Sequence, residues 1–376
     1  MKTMLCMLTV LCLLICTGGN TLAKETVKIG LITPLTGDVK TYGESVKNAF
    51  NIAVEEYEKR GRYRIQVIIA DDRNDATEGA NAALKLITQD RVSAIVGPVT
   101  SKVAIPVSDI ANQHKVPMIT GTATSPKVTY SDKKRKPYVF RACFIDPFQG
   151  IVAANFALKD LKAKTAAILY DVSNDYSKGL AENFRTTFTN GRGTIAAFES
   201  YQKDDVDFSA LITKVALKKP DLIFLPDYYN KVALIARQVR EKGIKSAILG
   251  GDGWDSSDLL KIGGNAIVGG YFVNHYSADR KDPVAASFIR TYKARYGVVP
   301  DTFAALAYDA AGILLKALDA AKRPLSDDIM KVLAPTKGYR GATGLIGFSR
   351  NGDAVKSAVI LKVEKSGFKY VTTVNP

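Results

Sequence analysis

From Val27 onward, short apolar runs alternate with stretches in which apolar residues recur every three or four positions. Val27 to Ile32 reads as a buried strand, followed by a loop that holds Pro34 and Gly37. Val46, Ala49, Phe50, Ala53, Val54 and Tyr57 then fall on one face of a helix, which Gly61 ends. Ile65 to Ala70 predicts a second strand, and Ala76, Ala80, Ala83, Leu84 and Ile87 mark a second helix. Ser93 to Val96 is a third strand, a helix runs through Ile105 and Ile110, and Val116 to Thr120 closes the set. Helices between successive strands imply a parallel sheet with right-handed crossovers.

The pattern then begins again. Strands are expected at Thr165 to Tyr170, Thr194 to Phe198, Asp221 to Leu225 and Ser246 to Leu249. Leu180, Phe184 and Phe188 line the first helix between them, and Phe208, Leu211, Ile212 and Val215 the second. Val232, Ile235, Ala236 and Val239 face a third. Each half carries an aromatic at the entry to its first helix, in Thr41-Tyr42-Gly43 and in Asp175-Tyr176-Ser177. The periodicity alone therefore predicts two similar α/β domains.

Open parallel sheets bind ligands beyond the carboxyl ends of their strands. Two such domains put the natural site in the cleft where those ends face each other. In the first half the relevant loops are Thr33 to Tyr42, Gly97 to Lys102 and Thr120 to Ser125; in the second, Asp171 to Tyr176, Pro226 to Asn230 and Gly250 to Ser257. Ser101, Thr122 and Thr124 would present hydroxyls, and a helix starting near Ser101 would add free backbone N–H groups suited to a carboxylate. Simple N-capping by these residues is the alternative. Asp252, between Gly251 and Gly253, could hold a cationic group through a charge-assisted hydrogen bond of roughly 1.5–3 kcal/mol, or could merely shape its loop as an Asx turn. Tyr42, Tyr176 and Tyr228 read as loop-tip aromatics that wall a small pocket.

Charge and cysteine usage change the picture in different ways. The formal charge of +15, from 52 Lys plus Arg against 37 Asp plus Glu, invites a nucleic-acid reading. The tight basic run Lys133-Lys134-Arg135-Lys136 is short and reads as an exposed loop, and elsewhere both signs alternate along helices. No nucleic-acid surface is expected. Three of the 4 cysteines, Cys6, Cys12 and Cys16, precede Thr17. With Lys2, the apolar run Met4 to Ile15 and Thr21-Leu22-Ala23, they compose a cleavable export signal over residues 1–23. The run is too short for a bilayer, which takes about 20 residues, and no later stretch supplies them. Ile15 stands where a lipid-anchored signal would carry a small residue. The expectation is an exported, soluble mature chain from Lys24, with Cys143 its single thiol and no internal disulfide.

These residues carry a family resemblance. KIGLITPLTGDVKTYGESVKNAFNIAVEE at 28–56, SAIVGPVTSKVAIPVSDIANQHKVPMITGTATSP at 93–126 and FRACFIDPFQG at 140–150 begin it. ILGGDGWDSSDL at 248–259, YFVNHYS at 271–277 and FAALAYDAAGILLKAL at 303–318 continue it. The chain resembles, over nearly all of its mature length, the branched-chain amino-acid (leucine/isoleucine/valine) periplasmic binding proteins of ABC transporters. The resemblance implies the type I periplasmic binding fold, with two Rossmann-like α/β lobes of parallel strands joined by a three-crossover hinge. It places residues 24–144 plus 277–350 in lobe 1, residues 145–276 plus 351–376 in lobe 2, and the ligand in the cleft between. The crossings would fall at Arg141 to Pro147, at His275 to Ser277 and near Asn351, and hinge closure on the ligand is the expected motion.

The same resemblance assigns roles. Ser101 and Thr124 match residues that bind the ligand carboxylate, with Thr122 adding backbone contacts, and Asp252 matches the acidic residue that binds the ammonium. Tyr42, Val99, Tyr176, Tyr228 and Phe303 would form the side-chain pocket. Two departures stand out. The best-known members have Glu where Asp252 stands, and they carry a first-domain disulfide whose matching positions here are about Asn74 and Thr100. The implied function is capture of a small amino acid, branched-chain or similarly apolar, in the periplasm, and its delivery to a membrane permease by a monomeric receptor.

Other chemistries lack their marks. No GxGxxG, GxxxxGK[ST] or GxSxG occurs. His114 and His275 have no cysteine or acidic neighbours at metal-ligand spacing, so neither metal nor cofactor is expected. Asp71-Asp72 reads as a solvated turn. An enzyme is not expected. A receptor for another small organic acid or amide, or a sensor feeding a signalling partner, remains the alternative.

Overall fold

A computed structural model of the chain describes residues 24–131 and 133–376, so the expected export signal over residues 1–23 lies outside the described residues. The first half runs β1 (Thr26–Thr33), α1 (Lys40–Glu58), β2 (Arg64–Asp71), α2 (Ala76–Thr88), β3 (Ala94–Val96), α3 (Ser101–Gln113) and β4 (Met118–Thr120). A small hairpin, β5 (Tyr130–Ser131) and β6 (Lys134–Arg135), precedes β7 (Val139–Arg141). Five strands pair in parallel in the order β2-β1-β3-β4-β7. The order reverses between β1 and β3, which opens a crevice beyond their carboxyl ends. Gly97 follows β3 there with φ +99, and a Cβ on it would come within 2.1 Å of the Ile32 carbonyl of β1.

The second half repeats the plan with α4 (Asp146–Lys159), β8 (Thr165–Asp171), α5 (Asp175–Asn190), β9 (Thr194–Tyr201) and α6 (Ser209–Lys218). It continues through β10 (Leu222–Leu225), α7 (Tyr229–Glu241), β11 (Ala247–Gly250), α8 (Ser257–Gly263) and β12 (Tyr271–Asn274). Helices α9 (Pro283–Tyr296), α10 (Thr302–Ala320) and α11 (Ser326–Leu333) follow, then strands β13 (Tyr339–Gly341), β14 (Gly344–Phe348) and β15 (Ala354–Val355). Two last strands, β16 (Ala358–Glu364) and β17 (Gly367–Val374), complete a seven-stranded sheet in the order β17-β16-β12-β11-β10-β8-β9. Its first five strands in chain order are parallel, and β16 and β17 add antiparallel edges. The strands read from hydrophobic runs all form, most with ends shifted by a residue or two.

The order in which the chain visits the sheets follows from burial. Helix α10 is apolar on nearly every face, and such a helix must be covered on all sides. It packs on α1 and against β3 and β4, which returns the chain to the first sheet. Later, β15 still pairs with β14, so the chain reaches the second sheet only beyond Val355, at the buried Lys356, rather than near Asn351.

Two expectations about surface charge are corrected. The basic run is partly a hairpin, and Lys136 is buried with its ammonium 2.6 Å from Asp109 and 2.8 Å from the Ser108 hydroxyl. Asp72 is 1% exposed and accepts the Asn74 amide at 2.8 Å, so it is no solvated turn residue. Burial raises its carboxyl to about 7. Among the described residues no helix is long and apolar enough to cross a membrane.

Candidate ligand-binding cleft

The carboxyl ends of the two sheets meet around a small, nearly filled pocket. Val99, Ser101, Thr122, Thr124, Tyr176, Tyr228, Asp252 and Phe303 line it, together with Thr100 and Gly253. Of the candidate residues only Tyr42 stands behind this lining, stacked on Phe303 at a centroid distance of 3.8 Å. A wider chamber of about 230 Å³ adjoins it and shares Tyr228.

Hydroxyls and a helix start form one wall. Thr100 precedes α3, but its hydroxyl donates to Asn74 Oδ1 at 2.7 Å and makes no capping bond. Ser101, the first residue of α3, accepts the Ser125 amide at 3.1 Å, which leaves its own proton to donate elsewhere. Simple N-capping of α3 is therefore not the role of Ser101. Arg141, fully buried, braces the neighbouring loop through the Ala123 and Ser125 carbonyls at 2.7 and 2.9 Å. Thr122 departs from expectation: its hydroxyl donates to the Val99 carbonyl at 2.6 Å and has no proton left for a ligand. The Asp146 backbone N–H donates to the Thr124 carbonyl at 3.0 Å, and neither buried Asp146 carboxyl oxygen has a hydrogen-bond partner among the described residues.

Aromatic rings form the opposite walls. Tyr176 and Tyr228 stack with centroids 5.4 Å apart, and Tyr42 meets Tyr228 edge-on at 5.9 Å. The expectation of loop-tip tyrosines is corrected. Tyr42 lies inside α1 and Tyr176 inside α5, exposed by only 0% and 3%, and Tyr228 caps the start of α7. Polar loop sequences hid the fact that these helices begin at the cleft and bury their first aromatic in it. The Tyr42 hydroxyl donates to the Gly253 carbonyl and so ties α1 to the loop after β11.

Asp252 sits on the floor, 4% exposed. Its Oδ1 accepts from Gln149 Nε2 at 2.7 Å and from the Tyr176 hydroxyl at 2.9 Å, and its Oδ2 lies 2.9 Å from His275 Nε2. Gly251 makes room for this crowding, since a Cβ on it would lie 2.5 Å from Gln149 Oε1 and 2.6 Å from the Tyr176 hydroxyl. Burial holds His275 down at about 4, against the opposing pull of Asp252, so the imidazole is neutral. Among the described residues, the only basic side chain in contact with Asp252 is this neutral imidazole.

Comparison with known proteins decides the family. The family model described as periplasmic binding protein matches residues 26–368. The chain belongs to the periplasmic binding protein family. A Leu/Ile/Val-binding protein of Rhizobium johnstonii is 34% identical over 350 residues, 92% of this chain and 94% of the relative. A crystal structure of a leucine-binding protein from Thermotoga maritima is 38% identical, covering 93% of this chain and 99% of its own, with a TM-score of 0.89. A branched-chain amino acid transporter substrate-binding protein from Streptococcus pneumoniae, solved in complex with isoleucine, is 32% identical and covers 94% of this chain and 100% of its own, with a TM-score of 0.88. The two-sheet α/β architecture is the type I fold of these periplasmic binding proteins.

Sequence reasoning missed three buried residues of this site. His275 has no acidic neighbour in sequence, yet folding places it on Asp252. Gln149 and Asp146 lie on the first turn of α4, far from Asp252 in sequence. Residue spacing carries no signal for such pairs. Only the matched fragments FRACFIDPFQG and YFVNHYS contained them.

Proposed function

We propose that this periplasmic binding protein is an amino-acid receptor that captures a small L-amino acid, branched-chain or similarly apolar, and delivers it to an ABC permease. In this reading residues 24–144 with 277–355 form one lobe and residues 145–276 with 356–376 the other. The lobes close on the ligand. Ser101, Thr124 and the first N–H groups of α3 bind its carboxylate, with Thr122 contributing backbone only. Val99, Tyr176, Tyr228 and Phe303 enclose the side chain, backed by Tyr42 behind Phe303, and exclude water. Relatives named for binding leucine, isoleucine and valine support the choice of ligand.

The observation that carries the reading is Asp252, a buried carboxylate held by three neutral donors with no cation against it. A buried charge is costly unless it is paired, and a ligand ammonium supplies the pair. An organic acid without an amino group would meet repulsion there. Micromolar affinity corresponds to about −8.2 kcal/mol, within reach of two ionic anchors and one buried aliphatic group. Calorimetry with L-isoleucine on Asp252→Asn tests it. The variant should bind roughly 10- to 100-fold more weakly, the value of about 1.5–3 kcal/mol for a charge-assisted contact. Affinity equal to that of the parent would remove Asp252 from the site.

A further inference from the structure

The donors that surround Asp252 come from three separate parts of the chain. Gln149 stands on α4, Tyr176 on α5, and His275 directly after β12. A carboxylate oxygen accepts about two hydrogen bonds. Gln149 and Tyr176 fill those of Oδ1, while His275 takes one of Oδ2 and leaves the other.

The imidazole is built for this one contact. Being neutral and facing a carboxylate, it must carry its proton on Nε2 and donate it. Its Nδ1 has no partner among the described residues, and its side chain is fully buried. Its face lies on the Phe144 ring, with centroids 3.5 Å apart. Phe144 and His275 belong to two of the segments on which the chain passes between sheets, so the ring is clamped where those segments touch. An aspartate has one methylene fewer than a glutamate with which to reach a ligand, so the direction of its carboxylate matters more.

We propose that His275 and Gln149 are positioning residues for ligand recognition: they fix the Asp252 carboxylate so that the remaining Oδ2 lone pair receives the ligand ammonium. This rests on the reading of Asp252 as the ammonium acceptor. His275→Phe keeps the ring stack and removes the donor, whereas a glutamine at this position can return an amide N–H to the place of Nε2. Calorimetric titration of the full chain with L-isoleucine should show His275→Phe weakened about tenfold, the scale of one lost hydrogen bond to a charged group. His275→Gln should recover most of that loss. Gln149→Met, which leaves the ring stack untouched, should lose affinity to a similar degree and serves if His275→Phe does not fold. If His275→Phe and Gln149→Met bind as the parent does while Asp252→Asn is weakened, this inference alone is overturned. Equal weakening of the Phe and Gln variants at position 275 overturns it too, since packing would then explain the loss. A parent chain that binds no amino acid overturns both this inference and the function it rests on.

Discussion

Asp146 shows how one side chain can set the protein's response to pH. It lies in the first turn of α4, fully buried, with its backbone N–H on the Thr124 carbonyl and neither carboxyl oxygen hydrogen-bonded among the described residues. Burial pushes its carboxyl up to about 8, and the nearby Asp252 charge adds to this. The folded chain therefore keeps a proton that the unfolded chain releases near pH 4. Between those values the native state binds more protons than the unfolded one, so this group's contribution to stability falls as pH rises from about 4 to about 8. Asp146→Asn keeps the shape and stays neutral. Its thermal midpoint should gain on the parent's as pH rises through that window, and parallel profiles would contradict the assignment. Nothing in the sequence pointed to this. A carboxyl in a loop-to-helix junction usually reads as solvated, and only the packed cleft shows otherwise.

At the scale of elements, the cleft is closed by helix starts and loops that touch across it. Lys127, beyond β4, meets Asp175 at the start of α5 at 2.7 Å, and Lys203, beyond β9, meets Asp38 ahead of α1 at 3.2 Å. Their side chains are 65% and 37% exposed in the first pair, 44% and 50% in the second, so solvent screens both. Lys127→Ala should weaken isoleucine binding less than about fivefold, and the difference should vanish at about 0.5 M salt. A larger, salt-insensitive loss would mean that closure depends on this pair. The elements themselves were legible in the sequence, because runs such as Val27 to Ile32 and Leu222 to Leu225 have no other place than the middle of a sheet. The site was legible in part. Ser101, Thr124 and Asp252 stand just beyond the ends of strands, where α/β topology puts ligands. His275 and Gln149 were not, because their roles exist only once α4 and the end of β12 converge on one carboxylate. The Thr122 hydroxyl misled for the same reason, its proton being used by a carbonyl that no local pattern reveals.

For the whole molecule, two sheets of like strand order face each other with their carboxyl ends inward, and the chain passes between them three times. Such a frame moves by hinge closure, so the radius of gyration from solution scattering should shrink when isoleucine is added; an unchanged profile would mean that capture needs no closure. The surplus of +15 plays no direct part in the pocket, where the wall of Ser101 and Thr124 offers an anion neutral donors and the floor offers a cation Asp252. Its place is the outer surface, in solubility and in the encounter with partners. The central claim is that this cleft holds a small apolar amino acid by both its charged ends. Calorimetric titration of the parent chain with each of the twenty amino acids tests it most directly. One-to-one binding of leucine, isoleucine or valine in the micromolar range or tighter is the predicted result, and no heat of binding from any of the twenty would contradict it.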